Sequence, residues 1–109
     1  MNEQDKALVL EFKRRLPPGA GKHLRRLIVF GSRATGAAQA DSDLDIAALV
    51  DTKTAELEQE LENTVYEIMW DHDFKPVISL KVFAEAQFNE AVNRGYSFYR
   101  NVINEGIAV

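Results

Sequence analysis

Two stretches decide the reading of this chain: Leu27-Ile28-Val29-Phe30-Gly31-Ser32 and, after ten intervening residues, Asp43-Leu44-Asp45-Ile46-Ala47-Ala48-Leu49-Val50. The first is a short continuous apolar run stopped by a glycine, the pattern of a buried strand entering a turn. The second turns wholly apolar after Asp45, which predicts another buried strand from Asp43 to Val50. Side chains alternate across a strand, so Asp43 and Asp45 project to one face while Leu44 and Ile46 project to the other.

Outward from this pair, Leu8, Phe12 and Leu16 recur at four-residue steps among Glu11, Lys13 and Arg14, which predicts an amphipathic helix from Asp5 to Leu16. Pro17-Pro18-Gly19 ends it, and Lys22, His23, Arg25 and Arg26 form a basic connection to the first strand. The Ala-rich segment from Ser32 to Ser42 suits a short helix. Beyond Val50, Thr52 or Thr54 can cap a long helix in which Leu57, Leu61, Val65 and Ile68 recur between glutamates. Asp71-His72-Asp73 breaks it with an acidic turn, Pro76 suits a strand start, and Val77 to Phe83 reads as a third strand. Ala84 to Gly95 and Ser97 to Glu105 read as helices, with Gly106 just past the last one. This order predicts an α/β architecture, a small sheet of three or more strands with helices packed on it, in one domain spanning residues 1–109. The residues alone leave the strand directions open.

With 46% hydrophobic and 28% charged residues the composition is that of a globular chain rather than a disordered one. No apolar run is long enough to span a bilayer, Met1 to Lys6 lacks the features of a secretory signal, and cysteine is absent, so a cytoplasmic location is the expectation. A net charge of −4 argues against general nucleic-acid binding, and no membrane partner is expected.

Asp43 and Asp45 would stand about 7 Å apart at roughly 3.3 Å per residue, close enough for their side chains to converge on one cation. Magnesium, with hard oxygen ligands and retained waters, suits such a pair when phosphates supply further ligands. Gly31 lets the backbone approach an anion, Ser32 adds a hydroxyl, and Arg33 is either a phosphate contact or a surface cation. The loop lacks the Gly-Lys-Ser/Thr ending of a Walker motif. His23 and His72 lie in different segments without zinc-ligand spacing. Trp70, Phe74, Tyr96, Phe98 and Tyr99 read as core or interface aromatics, and as a partner surface where Tyr96, Phe98 and Tyr99 are exposed together.

The pattern Phe30-Gly31-Ser32, ten residues, Asp43-Leu44-Asp45-Ile46 resembles the signature of the DNA polymerase beta-like nucleotidyltransferase superfamily. The small size resembles its minimal branch, and the ending from Phe98 to Ile107 is similar to that of small members. The resemblance implies a mixed sheet and nucleotidyl transfer from a magnesium-bound triphosphate, ATP in this reading. Asp43 and Asp45 would be the catalytic metal ligands, and Gly31, Ser32 and Arg33 would bind the nucleotide. It further implies an acceptor hydroxyl on a partner protein, as in minimal members that act as antitoxins and adenylylate a tyrosine of a HEPN-domain ribonuclease toxin. The chain departs from the pattern in two places. The strand Val77 to Phe83, which should bring a third carboxylate, offers only Ser79 and Lys81 on its polar face, and Thr35 replaces a second arginine. The alternative reading is therefore a binding module of the same fold that neutralises its partner by contact.

Overall fold

Asn2 opens the first helix by accepting the backbone N–H of Asp5 at 2.7 Å, which satisfies one of the orphan donors of the first turn. This helix, α1 (Glu3–Arg15), places acids in its first turn and Lys13, Arg14 and Arg15 in its last, matching the helix dipole. Leu16 is extended before Pro17, as the residue preceding a proline tends to be. The computed structural model describes residues 1–37 and 41–109. Elements follow in the order α2 (Pro18–Gly21), β1 (Leu24–Phe30), α3 (Ser32–Thr35), β2 (Leu44–Val50), α4 (Ala55–Asp71), β3 (Ile78–Ala84), α5 (Glu85–Asn93), α6 (Ser97–Glu105) and β4 (Ile107–Ala108).

The four strands form one mixed sheet in the order β3-β2-β1-β4. β1 is antiparallel to both β2 and β4, while β2 and β3 run parallel with α4 as the crossover between them. Thr54 caps α4, its hydroxyl accepting from the Leu57 N–H at 3.1 Å. Parallel strands need such a long connection and are covered on both faces. That covering explains the unbroken apolar runs of β1 and β2. Val29, Leu44, Ile46, Ala48 and Val50 pack with Leu8 and Phe12 of α1 and Leu61 and Ile68 of α4. On the other face Ile28, Ala47 and Leu49 pack with Phe88 of α5 and Val102 of α6.

Several details differ from the sequence expectation. The strand predicted from Asp43 begins at Leu44, which leaves Asp43 just before it, outside the side-chain alternation of β2. The first strand begins at Leu24: Leu24 and Arg26 pair with Val50 and Leu49 across a bulge at Arg25, and both arginines are exposed, so hydropathy conceals this start. Pro18–Gly21 forms a helical turn with proline at its start, where its missing N–H costs nothing. A two-residue strand follows Gly106 and closes the sheet on β1. Gly106 itself has φ −75, so its need is space and not a left-handed backbone. A Cβ there would overlap the Val102 carbonyl and lie 2.5 Å from Ile28 Cγ2. The short helix expected between Ser32 and Ser42 is the four-residue α3, and residues 38–40 of that segment lie outside the described residues.

Candidate active site

Asp45 occupies the row of β2 that further along holds Ala47 and Leu49, so its carboxylate sits at the end of a buried sheet face. It is half-buried, whereas Asp43, one residue before the strand, is exposed. Burial pushes the Asp45 carboxyl above its ordinary range, the negative charge of Asp43 adds to the rise, and Lys81 opposes it. A carboxylate held in this way beside a second acid has the chemistry of a cation ligand.

Phe30 is the β1 partner of Asp45 across the antiparallel ladder, and Gly31 follows it directly. Gly31 has φ +73 and no side-chain cap, and a Cβ on it would stand 2.5 Å from Asp45 Oδ2. Turn and carboxylate are thus packed backbone against side chain. The Gly31 carbonyl accepts the N–H groups of Ala34 and Thr35 at 3.1 and 3.3 Å, which winds Ser32 into the single turn of α3. The Ser32 hydroxyl makes no hydrogen bond with another described residue.

Arg33 does not stand at the surface. Its Nη1 pairs with Asp5 of α1 at 3.0 and 3.2 Å, and its Nε donates to the Ser42 carbonyl at 2.8 Å. Of the two options open in the sequence, the surface cation is ruled out by its burial, and its guanidinium is engaged inside the protein.

On the other side of Asp45 the parallel register sets Ser79 opposite it and Lys81 opposite Ala47. No carboxylate enters from β3. Asp71, at the end of α4, pairs with Arg15 of α1 at 2.5 Å. Among the described residues no group of three His, Cys, Asp or Glu side chains could hold a metal ion. Asp43 and Asp45 are hard oxygen donors of the kind that could hold a magnesium ion, with waters or phosphates completing its shell.

An aromatic edge borders the same end of the sheet. Phe98 of α6 meets Phe30 edge to face at 5.7 Å and Tyr99 at 5.2 Å. Phe98 and Tyr96 are exposed and Tyr99 is half-buried, so the interface expectation fits the first two better than the core one. Trp70 is likewise exposed, stacked edge-on with Tyr66 and Phe74. His23 pairs with Asp51 and His72 with Glu11.

A mixed sheet with a Gly-Ser turn on one strand and an Asp-x-Asp pair on the next is the arrangement of a nucleotidyltransferase fold. The sequence matches the family described as Polymerase beta, Nucleotidyltransferase over residues 20–109, and the chain belongs to that family. The matched part holds the whole sheet, Gly31, Ser32 and both carboxylates, and leaves α1 outside. No curated protein matches the chain closely enough to count as a relative. No helix of the described residues is long and apolar enough to cross a membrane.

Proposed function

We propose that this nucleotidyltransferase domain moves a nucleoside monophosphate, AMP from ATP, onto a hydroxyl of a partner protein, with magnesium, in the cytoplasm, as the antitoxin of a HEPN-type toxin. The observation that supports the reading is the packing of Gly31 against Asp45, which sets the Gly31-Ser32 turn directly beside the Asp45 carboxylate. Asp43 and Asp45 would hold the metal. When bound, magnesium would neutralise the charge that builds on the phosphates during transfer.

The chain's own groups do the remainder. Gly31 keeps a side chain out of the space beside Asp45, and Ser32 offers its hydroxyl to phosphate oxygens. The acceptor oxygen forms a bond to the α-phosphorus as the bond to the β-phosphate oxygen breaks, and pyrophosphate leaves. The acceptor proton passes to Asp45 or to water, since β3 sets Ser79 and no carboxylate beside Asp45. The exposed Tyr96 and Phe98, the latter packed on Phe30 just before the turn, favour a protein surface as acceptor.

Labelled ATP with magnesium, incubated with the chain and a HEPN-type partner, tests the reading. Label should pass to the partner, and Asp45→Asn should abolish it; an Asp45→Asn protein that labels like the parent sinks the assigned site. Ser79 and Lys81 on β3 favour the second reading, neutralisation by contact. It predicts that Asp43→Ala with Asp45→Ala still binds and silences the partner, and that no label is transferred by the parent.

A further inference from the structure

Asp5 is 1% exposed. A buried carboxylate needs a charged, hydrogen-bonding partner, since leaving it alone costs several kcal/mol by about the usual desolvation penalty. Asp5 has that partner in Arg33, with side chains 2% and 10% exposed respectively. The same guanidinium donates through Nε to the Ser42 carbonyl. One planar fork therefore joins three segments: α1, the turn that follows Gly31 and Ser32, and the residue immediately before Asp43. Its donors have fixed angles, so holding one end at Asp5 orients the other at Ser42.

We infer that Asp5 is a positioning residue of the proposed site: by fixing Arg33 it sets the spacing between the Gly31-Ser32 turn and the Asp43-Asp45 pair. Asp5 lies outside the family-matched residues 20–109, so α1 supplies a part of the site's support that the matched segment does not contain. Asp5 is too buried to touch a substrate, and Arg33 acts on the site by holding the loop. The effect on nucleotide rests on the nucleotidyl-transfer reading above; the clamp itself is tested without nucleotide.

Amide hydrogen exchange on the full chain compares the parent with Asp5→Asn, Arg33→Lys and the double variant. The amides of Ala34 and Thr35, which bond to the Gly31 carbonyl, should exchange about tenfold faster or more in each, the order expected when a charge-assisted buried bond is lost. The ladder pair Ile28 and Ala47 should keep its protection. The double variant should be no worse than the worse single one, because both break the same link. Unchanged protection at Ala34 and Thr35, or losses that add in the double, would overturn the inference. Should Asp5→Asn unfold the whole chain, Arg33→Lys decides, since it keeps a positive charge beside Asp5 and gives up the fork. Calorimetry with ATP and magnesium is the second arm. A folded, loosened variant that binds ATP as the parent does also overturns the positioning role. A parent that binds no ATP overturns the proposed function, and the exchange result then stands by itself for the clamp.

Discussion

Gly31 and Asp45 stand so close that a Cβ on the glycine would lie 2.5 Å from Oδ2 of the aspartate, and the glycine's φ of +73 is one that other residues adopt only with strain. Gly31→Ala therefore meets two penalties at once. The backbone strain costs about 1–3 kcal/mol, and the carboxylate must swing away from the turn. We expect a lower thermal midpoint together with a loss of nucleotidyl transfer beyond the loss of fold. An alanine variant that melts and transfers like the parent would show that turn and carboxylate are not coupled.

Asp45 is held in a place that disfavours its charge, by burial first and by Asp43 second. Its folded carboxyl binds a proton more tightly than the unfolded one, so the metal-free fold is penalised above the unfolded value near pH 4 and relieved as pH falls toward it. Asp45→Asn keeps the shape and removes the charge. It should melt slightly higher than the parent at neutral pH without metal, by a margin kept small because the carboxylate is only half-buried and solvent screens it. Magnesium and nucleotide should stabilise the parent and leave the variant unmoved. Calorimetric melts of both proteins with and without the ligands check this, and a less stable metal-free variant would refute it.

The strands β1 and β2 were legible because both faces are covered, which makes their sequences apolar without interruption, and the two aspartates stand out against that run. β3, an edge strand, was legible from its alternation instead, which sets Ser79 and Lys81 on the face of Asp45. The role of Arg33 was not. Its partner Asp5 is 28 positions away on a different helix, and nothing in local periodicity marks one acid of an amphipathic helix as buried. β4 escaped notice because two residues carry no pattern, and its pairing depends on Gly106 letting the chain pass over Ile28.

Thr52 and Thr54 were equal candidates to start the long helix, and the hydroxyl that reaches the Leu57 N–H is that of Thr54. Thr54→Ala should cost about 1 kcal/mol, the ordinary value of a lost N-cap. Thr52 is exposed, and its alanine variant should lie within about 0.5 kcal/mol of the parent. Urea unfolding midpoints of the two variants, with unchanged slopes, distinguish them; equal losses would mean that the helix begins differently.

His23, just before β1, meets Asp51, just after β2, at the end of that strand pair away from Gly31, its Nδ1 2.9 and 3.0 Å from the two carboxylate oxygens. The hydrogen bond from His23 is the main cause that lowers the Asp51 carboxyl below its ordinary range, helped by the Thr52 N–H and by the charges of His23 and Arg25. A depressed carboxyl stabilises the fold above its unfolded value, about 3.9, and that contribution is lost as pH falls through the lower folded value. The gap in unfolding midpoint between the parent and Asp51→Asn should thus be constant from about pH 6 to 5 and shrink below about pH 4. Added salt should narrow it at every pH, because the pair is partly exposed and its charges are screened. A gap that widens in acid would mean that Asp51 is not held ionised by His23.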